Sequence, residues 1–106
     1  MISLIIFSYP NDGRKLKRLI QGLVQGKFVA CVQVINYVHS YYIREEKFTK
    51  SQEKLVVCKT DPLKRSQAVS FIQKQHPYSI PEILTQDVDS NEAYEEWVKT
   101  VIGRGK

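Results

Sequence analysis

Cysteine and histidine are scarce in this chain, two of each, and neither type is clustered. Cys31 and Cys58 lie 27 positions apart without a CxxC pairing, and His39 and His76 form no HxxxH or HExxH arrangement. The compact spacings of a preformed metal site are therefore absent. Long apolar runs are also missing. The longest near the start, Leu4-Ile5-Ile6-Phe7, is a fraction of the roughly 20 residues that a spanning helix needs. No basic stretch precedes it, so a secretory signal is not expected and no membrane association is either. The cytoplasm is the default expectation, and the two cysteines are expected as reduced, buried thiols. No repeat, linker or low-complexity segment divides the 106 residues, which read as one domain, 1–106.

Charge of one sign is only mildly in excess. Lys and Arg outnumber Asp and Glu by 16 to 11, a net +5. The basic residues are spread along the chain, which fits a solvated surface better than a nucleic-acid footprint.

What the chain does have is strand-forming sequence. Phe28–Ile43, FVACVQVINYVHSYYI, is rich in Val, Ile, Phe and Tyr and holds neither Pro nor Gly. Such composition suits a pleated, partly buried strand. Sixteen residues at about 3.3 Å each would run roughly 53 Å, against a radius of gyration of about 13 Å for a domain this size. The strand must bend, bulge, or reach past its own domain.

Around it the elements alternate. Ile2–Ser8 reads as a strand buried on both faces, and Asn11 or Asp12 can cap the helix that follows. Leu16, Leu19, Ile20, Leu23 and Val24 make one apolar stripe on that helix, which Gly26 would end in a left-handed conformation. Arg44-Glu45-Glu46-Lys47 suits a hairpin tip, and a strand from about Lys54 to Thr60 should pair antiparallel with the long one. Asp61-Pro62 starts a second helix with Leu63, Ala68, Val69, Phe71 and Ile72 on its inner face, stopping near Gln75 because His76 precedes Pro77. A last strand is expected over 80–88, then a helix capped by Asp89 or Ser90, with Asp89 and Glu92 spaced as a capping box. Tyr94, Trp97, Val98, Val101 and Ile102 form its stripe, Gly103 ends it, and a short basic tail remains. The order is βαββαβ with an added C-terminal helix: a ferredoxin-like α+β fold with one antiparallel sheet.

That fold does not fix a function. For catalysis, Cys31, Cys58, His39, His76, Glu82 and Asp87 are available, but none sits in a recognised catalytic spacing. An RNA-binding sheet would need exposed aromatics on its central strands, and these carry only Phe7. For a metal, Cys31, Cys58, His39 and His76 are the possible donors, and sequence alone brings no two together.

Several segments resemble the CutA family of divalent-cation tolerance proteins. Phe28-Val29-Ala30-Cys31-Val32 is similar to the signature that opens the family's second strand. His76-Pro77-Tyr78-Ser79-Ile80-Pro81-Glu82-Ile83 is similar to its HPYExPEI segment. Phe7–Asn11, Lys59-Thr60 and Tyr94-x-x-Trp97 match in the right order. Three features depart from the pattern: Tyr42 is followed by Arg44 and Glu46 where Tyr-x-Trp-x-Gly is usual, Ser79 replaces a Glu, and Cys58 belongs to no family motif.

The resemblance implies a non-enzymatic homotrimer with long second and third strands that pair between subunits. It also implies a role in tolerance of copper or another divalent metal. Cys31 and His76 are the metal-ligand candidates on that basis, and Tyr42, Lys59, Tyr78 and Glu82 are candidates to line a cleft between subunits. The alternative is a PII-like signalling protein that binds a small anionic effector, with Lys47, Lys54, Lys59 and Arg65 as donors.

Overall fold

A computed structural model describes residues 1–103; the basic tail expected at 104–106 lies outside them. The elements are β1 (Ile2–Pro10), α1 (Gly13–Gln25), β2 (Cys31–Arg44), β3 (Lys47–Thr60), a 3₁₀ turn (Pro62–Lys64), α2 (Arg65–Gln75), β4 (Ile83–Val88) and α3 (Glu92–Val101). All strands pair antiparallel in the order β2-β3-β1-β4. This is the α+β, ferredoxin-like arrangement expected, with β1 and β3 central.

Strand alternation assigns the two faces. Ile5, Phe7 and Tyr9 of β1, with Val56 and Cys58 of β3, meet Leu16, Leu19 and Leu23 of α1 and Ala68 and Ile72 of α2 in the main core. Ile2 and Leu4 turn to the other face, where Val98 and Ile102 of α3 cover one end of the sheet. β1 is thus buried on both sides, as its unbroken apolar run requires. The rest of that second face is open: Ile35 and Leu84 are 52% and 55% exposed.

The long hairpin resolves the length problem by two of the three routes. A bulge interrupts the β2–β3 register between Ile35 and Val38, where Asn36 and Tyr37 stand opposite the single residue Lys54, and Tyr37 has φ +62°. Beyond the bulge the hairpin continues, and β2 and β3 are 14 residues each, or about 46 Å. The molecule is accordingly elongated, 50 Å along its longest axis with a radius of gyration of 14.7 Å. At the tip, Glu45 and Glu46 both have positive φ, +50° and +66°, the geometry of a two-residue hairpin turn.

Several boundaries differ from the sequence reading. Residues 28–30 are not strand, because the amides of Phe28 and Val29 return to the carbonyl of Leu23 and the Phe28 ring stacks on Phe71. Gly26 is not left-handed (φ −77°); Lys27, at φ +60°, is. Gly26 is needed for space, since a Cβ there would fall 2.7 Å from the Gly22 carbonyl oxygen and 2.9 Å from the Phe28 ring. β3 begins at Lys47, seven positions before the expected Lys54; its outer half is polar and is held by its ladder to β2.

β4 starts at Ile83 rather than Ile80, because Pro81 has no amide to give a ladder and Ile80 points into solvent. Leu63 is exposed, since the 3₁₀ turn carries it off the inner face of α2. Asp12 caps α1, accepting from the Lys15 amide. Asn91, not Asp89 or Ser90, precedes α3, and no capping box forms. Val24 and Trp97 are outside the core, Trp97 being stacked on Tyr94.

Candidate functional site

The segment after α2 builds a polar cluster at one end of the sheet. His76 terminates α2 in an extended conformation, as the following proline dictates. Its ring is buried against Phe7 and Tyr9, edge to face. Nε2 lies 2.7 Å from the Ser8 carbonyl oxygen, which can only accept, so Nε2 carries the proton and donates. Nδ1 then accepts the amide of Tyr78 at 3.1 Å. His76 thereby fixes the turn that swings Tyr78 over the sheet.

Tyr78 lands on Glu53. Its hydroxyl donates to Oε2 at 2.7 Å. Partial burial first, then the hydrogen bond and charge of Glu53, push the phenol up to about 12, with Arg44 acting in the opposite direction. Glu53 is only 7% exposed, and this is the one hydrogen bond of its side chain among the described residues. The β2 bulge contributes as well. By adding one residue it inverts the alternation of the outer hairpin. Ser40, Tyr42 and Arg44 consequently share the face that carries Glu53.

The result is an open cleft of about 760 Å³, lined by Ser8, Ser40, Tyr41, Tyr42, Arg44, Glu53, Pro77, Tyr78, Ser79, Ile80 and Glu82. Three of the four sequence candidates for a cleft, Tyr42, Tyr78 and Glu82, line this one. Lys59 does not: it pairs with Leu4 and Cys31 further along the sheet and its ammonium is held by the Gln33 side chain. The proposed anion donors are similarly scattered. Lys54 donates to Asn36 at 2.6 Å, and Arg65 to Asp87 at 2.5 Å and Ser3 at 3.2 Å. The cleft's cation is Arg44, which the sequence marked only as part of a hairpin tip and as a departure from a motif. Glu53 was missed altogether, because a lone Glu in a polar run carries no mark of burial.

The metal candidates are not brought together. Cys31 and Cys58 are free and, from the register, on opposite faces of the sheet. Cys58 is wholly buried and its thiol is pushed up to about 12, chiefly by burial. Cys31 lies at the far end from His76, near Tyr94 of α3, whose phenol is raised by partial burial and then by that thiol. His39 is on the outer hairpin. Both ring nitrogens of His76 are already engaged. Among the described residues no three His, Cys, Asp or Glu side chains converge on a point. The described residues of this chain thus assemble no three-donor site for copper or another divalent ion.

Comparison with known proteins gives a consistent picture. A family model described as CutA1 divalent ion tolerance protein matches residues 4–101. A protein from Xenopus laevis described as Protein CutA homolog is 32% identical over 94 residues, covering 88% of this chain and 62% of that protein. A Divalent-cation tolerance protein CutA from Pectobacterium atrosepticum is 26% identical, covering 91% and 88% of the two chains. The crystal structure of divalent ion tolerance protein CutA1 from Ehrlichia chaffeensis superposes with a TM-score of 0.91 at 27% identity, over 96% and 95% of the two chains. The chain spans less than two thirds of the Xenopus protein.

Proposed function

The chain belongs to the CutA1 family of divalent ion tolerance proteins, and from that premise we propose that it works without catalysis, as a homotrimer whose intersubunit cleft reads a small ligand in a metal-tolerance response. The carrying observation is the uncovered apolar surface. Ile35 and Leu84 on the open sheet face, and Tyr41, Ile43 and Phe48 on the projecting hairpin, are all more than half exposed. These are two separate patches, one on each face of the sheet, and uncovered apolar surface of this kind marks a contact with another chain. A neighbouring sheet and hairpin would bury it and place the mouth of the cleft between subunits.

The metal role is assigned to the assembly and not to an ion held by Cys31 and His76. Calorimetric titration with Cu(I), Cu(II) and Zn(II), alongside Cys31→Ser and His76→Ala, tests this. No site tighter than about millimolar, roughly 4 kcal/mol, is expected to depend on either residue. Tight copper binding lost in either variant would overturn the assignment. Two free thiols suit a reducing compartment, and we place the protein in the cytoplasm; recovery from any other fraction of its native cells would contradict that. The PII-like reading, an anionic effector, draws support from Arg44 in the cleft, although Lys47, Lys54, Lys59 and Arg65 are not among its lining residues.

A further inference from the structure

Glu53 and Arg44 together say more about the ligand. We infer that the cleft takes a small zwitterion of the amino-acid type, with its ammonium group against the Glu53 carboxylate and its carboxylate against the Arg44 guanidinium. The inference rests on the reading of this cleft as the ligand site.

Glu53 is more than nine-tenths buried as a residue and lines the cleft. Among the described residues, the only hydrogen bond of its side chain is the Tyr78 hydroxyl on Oε2, and no cation lies within ion-pair distance of that carboxylate. A neutral phenol satisfies one lone pair without compensating the charge. A desolvated carboxylate in this condition favours a cation that can donate to its other oxygen. Lysine neighbours do not serve: Lys54, next in sequence, points to the other face and binds Asn36.

Arg44 supplies the opposite pole. It lines the same cleft, its charge is felt at the Tyr78 hydroxyl, and it makes no ion pair with Glu53 or any other described carboxylate. A guanidinium is shaped to hold a carboxylate through two parallel hydrogen bonds. Both charges are thus available, separate and on one concave surface. A simple anion would leave Glu53 uncompensated and place like charge near it, while a simple amine would leave Arg44 unused. Tyr42 and Tyr78 provide flat apolar flanks for a side chain.

The test uses three matched probes on the whole protein: L-phenylalanine, phenethylamine, which lacks the carboxylate, and hydrocinnamate, which lacks the ammonium. Affinities are read by calorimetry and by amide shifts at Tyr78 and Ser79. L-Phenylalanine is expected to bind at least about tenfold tighter than either fragment, since each fragment forfeits one charge-assisted interaction. Glu53→Gln should remove the advantage over hydrocinnamate, and Arg44→Gln, at an exposed position, the advantage over phenethylamine. Should Glu53→Gln fail to fold, the Arg44→Gln comparison still decides. Hydrocinnamate binding as well as L-phenylalanine, or an intact trimer that binds none of the probes, would overturn the inference and leave the trimer reading standing. A monomer that binds nothing would overturn both.

Discussion

The Tyr78 hydroxyl donates to Glu53 Oε2 at 2.7 Å, tying the loop after α2 to a buried carboxylate midway along β3. Tyr78→Phe would leave that carboxylate without its donor. The expected cost is about 1–3 kcal/mol, read as a lower urea midpoint at unchanged slope. An unchanged midpoint would mean that the contact is not made in solution.

The same pair governs alkaline behaviour. The phenol is held up to about 12 in the folded state, against about 10 when unfolded. Stability from this raised value is complete below pH 10 and is lost as pH climbs from about 10 toward 12. Near-ultraviolet phenolate titration should show late-titrating tyrosines, Tyr9 and Tyr94 being raised as well, one of which disappears in Tyr78→Phe. A titration curve identical in the two proteins would contradict the assignment.

The thiols should differ sharply in reactivity. Cys58 is fully buried with its thiol pushed up to about 12, whereas Cys31 is partly accessible. Maleimide labelling of the native protein is expected to reach Cys31 at most, with Cys58 reacting only in denaturant. Rapid native labelling of Cys58 would place it outside the core.

Two substitutions probe backbone strain with opposite signs. Glu46 sits at φ +66° in the hairpin turn, so Glu46→Gly should stabilise by up to about 1 kcal/mol. Gly26→Ala should destabilise by about 1–3 kcal/mol through overpacking, because the new methyl would meet the Gly22 carbonyl at 2.7 Å. Thermal midpoints moving in the same direction would refute one of the two.

Much of the fold was legible because local pattern and tertiary demand agreed. The stripe of Leu16, Leu19 and Leu23 marked α1, the doubly apolar β1 marked a central strand, and His76-Pro77 marked the end of α2. The signals failed where one structural job was done by distant partners. The polar outer half of β3 is a strand only because β2 lies beside it. Asn36-Tyr37 forms a bulge whose left-handed residue is Tyr37, with no glycine to announce it. The cleft was half visible: Tyr42, Tyr78 and Glu82 stood out by motif, while Glu53 and Arg44 become a site only when the inverted alternation after the bulge sets them on one face.

Everything proposed for the cleft depends on the long hairpin and the open sheet face being shared between subunits. Light scattering of the purified chain, beside Ile35→Asp and Leu84→Asp, tests this most directly. The wild type is expected at three times the 12.3 kDa chain mass, with the two variants shifted toward the monomer by a charge placed in the buried interface. A wild-type mass of one chain would contradict it.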